Sequence, residues 1–112
     1  MNQDIIDFND WLKLDLRVGK ILEVDEIEGA DKLYKLLIDI GSEKRTIVAG
    51  LKPYFKKDEL KDKLCIVFTN LKPRVVKGIE SKGMLLAAVN EDESKVILIS
   101  PEEDIKVGSR IR

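Results

Sequence analysis

The sequence predicts an all-β protein with short helices: a small five-stranded barrel, preceded by a helix and followed by a β extension. Three observations lead there. Runs of β-branched and aliphatic residues, each of strand length, recur along the 112 residues between turn signals. Gly19 falls inside the longest run, where a barrel's first strand must bend to serve two sheets. The order is three strands, a short helix and two more strands, which is the order of the oligonucleotide/oligosaccharide-binding (OB) Greek-key barrel.

Taken in order, residues 4–14 read as a short amphipathic helix. Ile5, Phe8, Trp11 and Leu12 recur at helical spacing, with Asp4 or Asp7 placed to cap it. A helix this short needs a surface to pack on, either the barrel mouth or a partner chain. Residues 15–27 form the first strand, with Leu16, Val18, Leu22, Val24 and Ile27 on one face. Residues 33–40 and 44–49 form the second and third strands, joined by the turn at Gly41-Ser42. Pro53 suits the first turn of a helix over 54–60. Residues 64–69 are the fourth strand and 83–89 the fifth. A sixth strand at 95–100 and an extended piece at 107–112 lie between acidic turns. This divides one domain, 1–112, into a helix (1–14), a barrel (15–89) and an extension (90–112).

Composition narrows the function. The single cysteine excludes an internal disulfide framework and suits a reducing compartment. Histidine is absent, which removes the commonest general base near neutral pH and the commonest metal ligand. No phosphate-loop, nucleophile-elbow or dinucleotide signature occurs, and no catalytic constellation of carboxylates stands out. Neither an enzyme nor a cofactor is therefore expected. The early acids do not form a signal peptide, and no apolar run approaches a membrane span, so a cytoplasmic protein is expected.

The informative segment is 70–88, NLKPRVVKGIESKGMLLAA. It carries Lys72, Arg74, Lys77 and Lys82 against a single acid, Glu80, in a chain of net charge −1. A positive loop on a nearly neutral protein is a local feature, suited to holding phosphates. In an OB barrel, ligands lie on the face of strands two and three, flanked by the loops joining strands one to two and four to five. Residues 28–32 and 71–82 are those loops. Pro73 and Gly78 constrain the second loop, while Asn70 and Ser81 either cap turns or read a base edge or 2′-OH. Lys32, Lys35, Lys44 and Arg45 are positioned to extend the patch. Tyr34 and Tyr54 serve either as core or as stacking surfaces. Trp11 reads as a packing anchor and Cys65 as a small buried hydrophobe.

The motifs DLRVGKI (15–21), ADKLY (30–34), VAGL (48–51) and NLKP…G…SKGMLLAA (70–88) resemble the tRNA-binding OB-fold domain family. The likeness is greatest to the β subunit or C-terminal module of methionyl-tRNA synthetases, and it spans nearly the whole chain. It implies a homodimer that grips the outer elbow of tRNA with little sequence preference and does no chemistry itself. By position, its RNA-facing residues would be Lys32, Asn70, Lys72, Arg74, Lys77, Ser81 and Met84, with Lys82 added where glutamine is usual. Val75 and Val76 stand where relatives often carry another basic residue. The chain opens at Met1 directly into this region, the layout expected of a complete small protein acting in trans for a synthetase catalytic subunit. A second reading is a small peptide-binding secretion chaperone of the same fold, which shares the opening FNDWLKLDLRVGKI. The cations of 70–88 argue for RNA, since a peptide groove wants exposed apolar surface.

Overall fold

The computed structural model describes residues 4–112. A single helical turn, α1 (Phe8–Trp11), leads into β1 (Leu16–Ile27), β2 (Ala30–Asp39) and β3 (Lys44–Ala49), an antiparallel meander. A second short helix, α2 (Lys57–Leu60), precedes β4 (Leu64–Phe68). The chain then forms a small hairpin, β5 (Arg74–Val76) and β6 (Ile79–Ser81), followed by β7 (Met84–Leu85). β8 (Ala87–Val89) pairs with β9 (Val96–Leu98), and β10 (Arg110–Ile111) returns to β1. The main sheet runs β3-β2-β1-β4-β7. It curls until the Lys82 N–H donates to the Thr46 carbonyl at 3.0 Å, bringing the start of β7 against β3 and giving an OB-like barrel.

β1 serves both halves of the barrel. Residues 16–20 pair with β4 and residues 20–27 with β2. A register shift between Ile21 and Glu23 exchanges the faces of the strand. Leu16 and Val18 consequently join Ile66 in an outer cluster, against which Trp11, Leu14 and Ile111 pack. Ile21 and Val24 face the barrel interior with Leu36, Ile38, Ile47 and Val67. Of the five apolar positions expected on one face, Leu16 and Val18 thus go to the outer cluster and Val24 to the barrel interior, while Leu22 and Ile27 are only partly buried and join neither. Each fully buried aliphatic side chain contributes about 1.5–3 kcal/mol by leaving water.

The bulge lies two residues beyond Gly19, which has a different task. A Cβ at Gly19 would stand 2.9 Å from both Ile38 Cγ2 and Val67 Cγ2, so hydrogen is the side chain that the interior admits there.

Several expected elements change length. The helix over 4–14 shrinks to Phe8–Trp11 with no buried residue, and Ile5 is 97% exposed. It does not plug the barrel mouth. The helix over 54–60 shrinks to Lys57–Leu60, because the Tyr54 and Phe55 N–H groups both donate to the Leu51 carbonyl in a preceding turn. Pro53 sits in that turn. The fifth strand breaks at Leu86, whose N–H donates to Ile66 while its carbonyl accepts from Ile99. This hands the chain from β4 to β9. Among the described residues, no helix is long and apolar enough to cross a membrane.

Candidate nucleic-acid interface

The basic segment forms a hairpin that was not expected from the sequence. Val76 pairs with Ile79, so the turn contains only Lys77 and Gly78, with φ of 52° and 77°. Positive φ at both central residues gives the turn whose twist suits a two-residue hairpin, and glycine takes the second position without strain. The signal was present in the sequence: Val75-Val76 and Ile79 flank Lys77-Gly78 as β-formers around a two-residue turn.

Pairing sets which side chains face inward. Arg74 lies opposite Ser81, and Val76 opposite Ile79, on the face toward the barrel. Val75 and Glu80 take the other face, and Val75 is exposed. Ser81 is 3% exposed and lies against β3, where its hydroxyl oxygen accepts the Val48 N–H at 2.9 Å. That contact occupies a buried amide that the neighbouring backbone does not reach. Ser81, expected to face RNA, thus lies at the floor of the loop and pins the hairpin to the barrel.

Asn70, also expected to face RNA, is exposed and is engaged by the chain itself. Its Oδ1 accepts the Asp15 N–H at 2.8 Å and its Nδ2 donates to the Lys13 carbonyl at 2.6 Å. With both ends of the carboxamide engaged, Asn70 ties the base of the loop to the chain entering β1.

A cleft of about 560 Å³ opens between the hairpin, β3 and the β8–β9 pair. Lys72 and Arg74 stand at it, with Met84, Tyr54 and Leu33 among its apolar walls. Met84 is 45% exposed. Among the described residues neither Lys72 nor Arg74 has an ion-pair partner. The hydroxyl of Tyr54 donates to the Glu93 carbonyl at 3.0 Å, which holds the ring at the cleft. Tyr34 is instead core, with its hydroxyl donating to the Phe55 carbonyl at 2.8 Å.

The four loop cations do not all share this cleft. Lys77 is at the hairpin tip. Lys82 lines an adjoining groove and pairs with Glu80 at 3.5 Å. Lys32 is exposed one residue before Leu33, and its backbone lies beside Gly50 at the cleft edge. Arg45, expected to widen the patch, is a clamp: its Nε donates to Glu43 at 2.7 Å, and its Nη1 donates to the Thr69 carbonyl.

Beneath the loop, burial pushes the Asp15 carboxyl up, but hydrogen bonds from Thr69 and Arg17, with the charges of Arg17 and Arg110, outweigh it and hold the group below its ordinary value. Burial pushes the Cys65 thiol up to about 12, leaving it a neutral core side chain.

A small β-barrel with a cationic cleft beside a stiffened hairpin belongs to the class of OB-type nucleic-acid-binding barrels. A sequence profile described as "Putative tRNA binding domain" matches residues 16–110, and the chain belongs to that tRNA-binding domain family. It is 49% identical over 109 residues to the methionine–tRNA ligase of Pyrococcus horikoshii, covering 97% of this chain but 15% of that protein. The chain thus spans about a seventh of the curated relatives it matches. Among solved structures it resembles a methionyl-tRNA-synthetase-related protein from Pyrococcus horikoshii, with a TM-score of 0.92, 38% identity, and coverage of 98% of this chain and 100% of that one. It also resembles the chaperone CsaA of Bacillus anthracis, with a TM-score of 0.88, 25% identity, and coverage of 97% and 100%.

Proposed function

We propose that this protein is a non-catalytic tRNA-binding subunit that raises the tRNA affinity of a methionyl-tRNA synthetase in trans, acting in the cytoplasm as a homodimer. The observation that carries the reading is the placement of Lys72 and Arg74. Both cations stand at an open cleft and, among the described residues, neither forms an ion pair, so each is available to a phosphate. Met84 and Tyr54 add a soft apolar wall against which a base or ribose rests. Lys77 at the hairpin tip, Lys82 beside it and Lys32 across the cleft supply further phosphate contacts. Recognition of this kind follows the shape and charge of a folded RNA and reads little sequence.

The test is a titration of intact tRNA against salt. About five phosphate contacts give a log–log slope of roughly −4. Lys72→Ala with Arg74→Ala should shallow that slope by about two and weaken all tRNAs alike. A flat salt response in the wild type would defeat the assignment.

A second reading, a peptide-binding chaperone, draws on the apolar part of the same cleft, where Leu33, Leu51, Met84 and Leu98 gather, and on the similarity to CsaA. An unfolded peptide titrated in parallel discriminates: salt-insensitive capture of peptide with no retention of tRNA would favour it.

A further inference from the structure

The cleft does not end at Lys72. The adjoining groove, about 490 Å³, shares Leu71 and Lys72 with it and carries Arg45 and Lys82. A third groove, about 460 Å³, shares Arg45 and Thr69 with the second and continues under the C-terminal segment to Arg17 and Lys106. Together the three carry six cations (Arg17, Arg45, Lys72, Arg74, Lys82, Lys106) against three acids (Asp15, Glu43, Glu93), a net +3. Since the whole chain is −1, everything else carries −4. The acidic turn of Glu102, Glu103 and Asp104 lines a different groove, with Asp62 and Lys63.

We propose that these three connected grooves form one phosphate track, so that the RNA strand lying at Lys72 and Arg74 continues past Arg45 to a second contact at Arg17 and Lys106. The proposal rests on the tRNA reading of the cleft and deepens it. Arg17 and Arg45 suit a track because they are already fixed. Arg17 donates through Nε to Asp15 at 2.7 Å and through Nη1 to the Gly108 carbonyl at 3.1 Å. Arg45 is held through Nε and Nη1 by Glu43, Thr69 and Lys82. Nη2 of each has no hydrogen-bond partner among the described residues, so two immobilised guanidiniums retain free donors toward the grooves. Fixed donors lose little side-chain entropy on binding. Lys106 is the cation at the far end. It is exposed, no described carboxylate pairs with it, and the turn it opens is closed by its own carbonyl accepting from the Ser109 N–H and hydroxyl.

The track is tested at Lys106, whose side chain the fold does not use. Salt-dependent titrations of intact tRNA compare wild type, Lys106→Ala, Lys106→Arg, the Lys72→Ala/Arg74→Ala pair, and Lys63→Ala as a charge control from the acidic groove. Thermal melts verify that each variant is folded. The expected result is a slope shallower by about one for Lys106→Ala, a wild-type slope for Lys106→Arg, and no change for Lys63→Ala. If Lys106→Ala matches Lys63→Ala while the Lys72/Arg74 pair loses slope, the track is refuted and the cleft reading stands. If the Lys72/Arg74 pair also keeps the wild-type slope, the cleft reading falls and takes the track with it.

Discussion

At the residue scale, several polar side chains near the cleft are occupied by the protein itself. Asn70, Ser81 and Arg45 each satisfy backbone groups from a neighbouring segment, and these bonds fix where the free cations stand. Asp15 belongs to the same framework, between Arg17 at 2.7 Å and the loop base held by Asn70. Its native carboxyl titrates below the ordinary 3.8, so the ionised form stabilises the fold at every pH above that value. The contribution is lost as pH falls through the lowered native value, where folded and unfolded forms both become protonated. Urea denaturation of wild type and Asp15→Asn should therefore show a stability gap that is constant from about pH 5 to 8 and closes below about pH 4. A gap that widened in acid would mean that the carboxylate is destabilising in the native state.

At the scale of the element, the hairpin β5–β6 is too short to be stable alone. It persists because its return strand is pinned to β3 by the Ser81 hydroxyl and by the Lys82 N–H to Thr46. Ser81→Ala leaves the Val48 N–H buried without its acceptor, at a cost of about 1–3 kcal/mol. Chemical denaturation should register that loss, and amide exchange should show faster opening at Val48 and along the hairpin. Unchanged stability would mean that another acceptor takes over. β1 teaches a related lesson. Its alternating apolar pattern was visible in the sequence, yet the shift between Ile21 and Glu23 puts Leu16 and Val18 on one core and Val24 on the other. Period-two reading assumes a strand without a bulge, so it places all of them on one face.

At the scale of the whole molecule, two surfaces stand apart. One is the cationic run of grooves. The other is made of scattered apolar side chains: Ile5, Ile6 and Phe8 before the barrel, and Ile97, Ile99 and Ile105 after it, are each exposed. The homodimer proposed above would cover such exposed aliphatic side chains. Light scattering should give twice the chain mass at micromolar concentration, and Ile97→Glu with Ile99→Glu should return it to one; a monomeric wild type would reject the dimer. The order of the barrel strands, the bounds of β3 and the site of the basic segment could all be read from the sequence, because hydrophobic period, turn residues and charge are local properties. Asn70 and Ser81 could not be assigned that way. Whether a short polar side chain faces a ligand or a backbone amide depends on what lies across from it, and their partners are 55 and 33 residues away along the chain. Sequence alone thus determined the barrel and the presence of cations on its fourth-to-fifth connection. Tertiary structure decided which of those cations stand free, because only packing brings a distant backbone group or carboxylate within bonding reach.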